Sequence, residues 1–174
     1  MIDPLVPADE AARFWRALDR DVKRAGGQVH VLITVFWHTR STADLVARYG
    51  ARVWAPTRAR AVVERRAGVV SDVFTPGDAL PGGVEALETA RSNEVVYWLP
   101  GPRAVVPGDV ILGDDDGGVR LCPDSWLPGS TGQAELRASL QPLRELAAEK
   151  VLVSHGQPVL RGARQALERL LSPR

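Results

Sequence analysis

Cysteine is almost missing from this chain: Cys122 is the single one in 174 residues. An internal disulfide and a cysteine-rich zinc site are thereby excluded, and a reducing compartment is expected. Lysine is nearly as scarce. Lys23 and Lys150 are the only two, so arginine supplies most of the 22 basic residues that face 21 acidic ones. The formal charge of +1 leaves no global field toward nucleic acid or an anionic membrane, and neither partner is expected. Arg58, Arg60, Arg65 and Arg66 fall on one predicted helix, where they read as a solvated face. No run of about 18 apolar residues and no charged-then-apolar leader occurs, so the cytoplasm is the expected location. Nucleotide and zincin signatures are missing too: no phosphate-cradling glycine loop follows a strand, and there is no His-Glu-x-x-His. Residues 129–132 (GSTG) follow no strand and make no nucleophile elbow. Asp114, Asp115 and Asp116 are adjacent rather than alternating, which fits a polar hairpin turn and not a calcium loop.

What is present is an ordinary globular composition, 45% apolar and 25% charged, in a length suited to one domain, 1–174, with its own core. Residues 8–25 carry Ala11, Phe14, Trp15, Leu18 and Val22 at helical spacing, with Asp9 and Glu10 in the first turn and Gly26 and Gly27 after the last. Residues 28–35 are β-rich and apolar, as in a strand covered on both faces. Ser41 with Asp44 predicts an N-cap of capping-box type, and Gly50 closes that helix. A strand over 52–55 and a helix over 56–68 follow. This βαβα rhythm predicts parallel strands covered by helices. From residue 69 the pattern changes. Short segments at 69–75, 84–89, 94–99, 103–107 and 118–122, separated by Gly/Pro turns, predict an antiparallel meander. Leu136, Leu140, Leu143 and Leu146 mark a helix over 133–149 that Pro142 interrupts. A buried strand (KVLVSHG) and a helix over 162–171 close a mixed α/β domain.

Four short pieces carry the chemistry: Ile2-Asp3-Pro4, LITVFWHTRS at 32–41, VYWLPGPRAVVPGDVILG at 96–113 and VLVSHGQP at 151–158. In that order, over essentially the whole chain, they resemble the metallo-β-lactamase-like hydrolase superfamily. Its members run from an Ile-Asp strand end through Thr-His-x-His-x-Asp-His, a third-histidine segment and Gly-Asp to a last strand ending in His-Gly. The resemblance implies a four-layer αββα sandwich whose strand-end loops hold one or two metal ions, usually zinc. The chain opens almost at Ile2-Asp3, so the N-terminal strands of the first sheet are expected to be lacking. An apolar edge left uncovered invites pairing, and a homodimer is expected.

Carried over residue by residue, the resemblance keeps few ligands. Thr34 matches the motif threonine, but Val35 and Trp37 stand at the alternating histidines, Thr39 at the aspartate and Arg40 at the last histidine. Ala90 stands at the third histidine. Asp109 remains at the bridging carboxylate, His155 at the final histidine and Asp3 at a structural aspartate, while His38 falls on a spacer position. Two adjacent metals need several neutral imidazoles and a bridging carboxylate, a set this chain has lost. Without cations, a buried Asp109 is costly. Arg40 is the expected partner, through a bidentate pair, with Trp37 filling the vacated volume. The plainer alternatives are a turn residue for Asp109 and a core histidine for His155.

Three readings of function follow. The first is a degenerate protein with weak or no hydrolase activity and no cofactor, binding a small anionic ligand near Arg40, Arg91 and His155. The second is a hydrolase of an ester, thioester or phosphoester with one zinc on His38, Asp109 and His155. The third is an unrelated α/β binding module. No catalytic residue is assigned. The tryptophans are expected in the core except Trp126, in CPDSWLPG, which is expected to line a cleft.

Overall fold

The structure, a computed structural model, describes residues 1–129 and 131–172 and divides into two compact units, Met1–Phe74 and Thr75–Arg174. Ser130, within the 129–132 stretch, lies outside the described residues.

The first unit alternates helix and strand: α1 (Ala11–Ala25), β1 (His30–Leu32), α2 (Thr42–Tyr49), β2 (Arg52–Pro56), α3 (Arg60–Ala67) and β3 (Asp72–Phe74). The strands pair in parallel in the order β1-β2-β3, and Ile2 adds an isolated parallel bridge to Leu32. Val31, Val53 and Ala55 share a core with Leu45 of α2 and Val63 of α3, and Trp15 and Leu18 of α1 pack on it. The parallel sheet read from the βαβα rhythm is therefore present. Three local expectations change. Helix α1 starts at Ala11, so Asp9 and Glu10 precede it. Ser41 stands at the N-cap, but its hydroxyl accepts the Val6 amide at 3.0 Å instead of capping α2, which leaves the capping box unformed. The 69–75 segment does not open the antiparallel meander. The α3 crossover returns the chain for β3 to run parallel to β2.

The second unit holds β4 (Glu85–Glu88), β5 (Val95–Leu99), β6 (Ala104–Val106), β7 (Ile111–Gly113), β8 (Val119–Leu121), α4 (Gln133–Ser139), β9 (Lys150–Val151) and α5 (Ala163–Leu171). Strands β4, β5 and β6 form the expected antiparallel meander, and β9 joins β6 in parallel. Strands β7 and β8 make a separate hairpin, its turn closed by the Asp114 amide on the Gly118 carbonyl at 3.0 Å. The three acids thus sit in a polar turn, as expected. Pro142 lies in a 3-10 turn, Gln141–Glu145, that follows α4, so the helical stretch is split. Leu136, Leu140 and Leu143 are buried together with Val105, Val151 and Leu167. The expected last strand is shorter than its apolar run. It ends at Val151, and an antiparallel bridge from Val151 to Val159 leaves 152–158 as a loop that doubles back. That loop carries His155. No described helix is long and apolar enough to cross a membrane.

Candidate functional site

Two carboxylate–imidazole pairs hold most of the residues singled out by the sequence, one pair in each unit. In the first, Asp3 has φ of 44°, a left-handed conformation costing about 1–3 kcal/mol for a residue with a Cβ. Its carboxylate offsets that cost by accepting the Thr34 amide at 2.8 Å, the Thr34 hydroxyl, and the His38 Nδ1–H at 2.9 Å. The His38 and Asp3 side chains are only 4% and 8% exposed. The spacer histidine is thus buried in the loop, and the retained aspartate holds it there. Val35 is buried, and Trp37 is half-buried, edge-on to Phe36 at 4.4 Å between centroids. Arg40 is exposed. No ion pair found among the described residues includes it. Next to the start of α2, that guanidinium keeps its hydration, which burial would strip away.

In the second unit Asp109 follows Gly108 yet is no surface turn residue, being 2% exposed. Its Oδ1 lies 3.4 Å from His155 Nε2. Its backbone is held by Glu94, whose Oε1 accepts the amides of Asp109 at 2.5 Å and Val110 at 3.0 Å. The other Glu94 oxygen is 2.7 Å from Arg91 Nη1, and both side chains are nearly inaccessible. Burial pushes the Glu94 carboxyl up to about 7, against the pull of the Arg91 charge and of the two amides. Arg91, expected beside an anionic ligand, is thus buried against Glu94. Sequence reasoning missed Glu94. The available signal was a pair of opposite charges three residues apart, directly before the apolar run VVYWL, because buried charges come in pairs.

His155 is not a core histidine. Its side chain is 52% exposed, and its ring meets Trp126 edge-on at 5.6 Å and 69°. Trp126 is itself 39% exposed, on the Pro/Gly-bounded stretch where a cleft residue was expected, whereas Trp98 is buried in the core. Backbone contacts place the histidine. The Gly113 amide donates to the His155 carbonyl at 2.8 Å, and the Ser154 hydroxyl to the Gly108 carbonyl at 2.9 Å. Gly113 and Gly156 pass so closely that neither tolerates a side chain. A Cβ on Gly113 would stand 2.4 Å from the Gln157 carbonyl oxygen, and one on Gly156 2.7 Å from that of Gly113.

The donor set decides what metal could fit. Valine, tryptophan, arginine and alanine at Val35, Trp37, Arg40 and Ala90 offer no lone pair to a cation, so a dinuclear centre of the expected kind does not fit. A single ion fits better. The 3.4 Å between Asp109 Oδ1 and His155 Nε2 is long for a hydrogen bond. It matches the roughly 3.3–3.4 Å between two ligand atoms of one tetrahedral ion with bonds of about 2.0–2.1 Å.

No family model and no curated protein matches the chain. Solved structures do. A β-lactamase domain protein from Burkholderia ambifaria matches 97% of the chain at 18% identity and a TM-score of 0.65, with 62% of its own length covered. The DIM-1 metallo-β-lactamase matches 97% at 15% identity and a TM-score of 0.65, with 80% of its length covered. TTHA1623, solved in a di-iron-bound form, matches 99% at 22% identity and a TM-score of 0.62, with 87% covered. At these identities the likeness is one of fold: the chain has the metallo-β-lactamase fold, the α/β class its sequence motifs implied.

Proposed function

We propose that this chain is a degenerate metallo-β-lactamase-fold protein with weak or no hydrolase activity. In this reading residues 1–174 act as one domain, consistent with single solved structures that match 97–99% of the chain. The small anionic ligand of this reading sits at His155, with the half-exposed imidazole as its donor. The observation that carries the reading is the loss of lone pairs at Val35, Trp37, Arg40 and Ala90, with Val35 at 1% exposure. Hydrolysis of a nitrophenyl ester, a thioester and a phosphodiester is the test, run beside D109A and H155A. Rates no higher than those of the variants are expected. Turnover lost in both variants would replace this reading by the second.

The second reading is a mononuclear hydrolase with zinc on His38, Asp109 and His155. Two observations favour it: the ligand-like 3.4 Å spacing of Asp109 and His155, and the Asp3 bond to His38 Nδ1. A carboxylate on one imidazole nitrogen is the usual support for a histidine whose other nitrogen binds metal. A bound zinc would supply a hydroxide near neutral pH for attack on an ester, thioester or phosphoester. The residues' part is to present two imidazoles and one carboxylate, with Asp3 fixing the tautomer. A cytoplasmic homodimer completes the proposal, with exposed Met1 and Leu5 beside the Ile2 bridge. A monomer in light scattering at high concentration would count against it.

A further inference from the structure

We infer that Glu94 is a positioning residue for Asp109: an internal carboxylate seated in a main-chain anion nest, which accepts a free small carboxylate once the side chain is removed. Gly108, at φ of 60°, turns the next two amides toward one acceptor, the arrangement that makes consecutive N–H groups an anion-binding concavity. Both amides reach Glu94 Oε1, and the Arg91 guanidinium faces the second oxygen at 2.7 Å. Arg91, Glu94 and Asp109 are 7%, 3% and 2% exposed. Two main-chain donors and a guanidinium around one buried carboxylate form a complete anion site, and its occupant is covalently tethered.

The tether is itself anchored. The Glu94 amide donates to the Arg91 carbonyl at 2.9 Å, and the Thr89 hydroxyl accepts the Arg91 amide at 3.1 Å. Next to them, the Ala90 amide donates to the Ser139 hydroxyl at 2.9 Å, which ties this turn to α4. Ala90 is where the third histidine is replaced. The same segment that lost an imidazole thus supplies, four residues on, a carboxylate that grips the backbone of Asp109. The bond to its own amide fixes the backbone of Asp109. Arg91 stabilises this buried neighbourhood through Glu94, a role the sequence had pointed to Arg40 for.

The inference rests on the proposed function only in treating Asp109 as a site residue. Its test reads the turn itself, with no metal or ligand at the site, so either can fail alone. E94A and E94Q are compared with wild type by thermal melting and by 1H–15N correlation spectra, with sodium formate as the free carboxylate and sodium chloride as the control. E94A is expected to melt roughly 10 °C lower, because it removes the buried carboxylate that faces Arg91 and accepts two amides. Its Asp109 and Val110 amide resonances shift, and formate, unlike chloride, restores both signals and most of the stability. Wild type and E94Q show no such response, and adding R91M to E94A abolishes it. Unmoved amides in E94A, or an equal effect of formate on wild type, would overturn the inference. Folding of E94A only in formate supports it. Where E94A folds in neither salt, E94D, whose shorter side chain falls short of both amides, decides: displaced Asp109 and Val110 amides support the inference and unmoved ones overturn it.

Discussion

The two carboxylate–imidazole pairs use the same chemistry to opposite ends. Asp3 and His38 are both buried and joined at 2.9 Å through Nδ1, a closed hydrogen bond in which every carboxylate interaction serves the loop. Asp109 is equally buried, but its histidine is 52% exposed and stands 3.4 Å away through Nε2. The first pair ties Asp3 to the loop that carries His38. The second sets a buried acid beside a solvent-facing ring, the arrangement on which the proposed site rests. Burial of the imidazole and the spacing of the pair separate the two roles, and residue type does not.

The sharpest way to break the contrast is to move the open pair without touching it. Gly113→Ala drives a Cβ into the Gln157 backbone and should cost about 3–4 kcal/mol in urea unfolding. The backbone bond that places His155 should be displaced with it. Asp3→Ala comes next. It removes three hydrogen bonds from a buried loop, and about 2–3 kcal/mol of stability should go with them in the same measurement. A smaller effect is expected from pH through Glu94. Its carboxyl is raised to about 7 from an ordinary 4.5. This contribution is therefore fully present below pH 4.5 and is lost as pH rises through 7. Stability near pH 8 should lie on the order of 2 kcal/mol below that near pH 5, and E94Q should flatten the difference. Least of all, His155→Ala should change unfolding stability by under about 0.5 kcal/mol. A cost as large as that of Asp3→Ala would erase the distinction drawn between the pairs.

Much of the scaffold was legible because it follows local rules. The βαβα alternation, the polar turn at Asp114 and the break at Pro142 each depend on nearby residues, and each is present. The parallel pairing of β3 was not legible, since a three-residue strand carries no sign of its partner's direction. Strand β7, Ile111–Gly113, was read as part of the Gly-Asp motif and not as a strand of its own for the same reason. At the site, Asp109 and His155 were found by their place in an order of motifs, and the structure brings them together. Glu94 escaped because its function is a contact with a turn 15 residues further along the chain. The alternative of a core histidine does not hold for His155, which is 52% exposed on a loop set by the close pass of Gly113 and Gly156, a tertiary event with no local signature. Arg40 was favoured for its charge and position in the motif, but a charge finds a buried partner only where the backbone delivers one.

The central claim is that too few electron-pair donors remain for a pair of metal ions. Dialysis of the purified chain against zinc, followed by elemental analysis after removal of free metal, measures this directly. No more than one equivalent per chain is expected, lost on His155→Ala. Two tightly held equivalents would contradict the account.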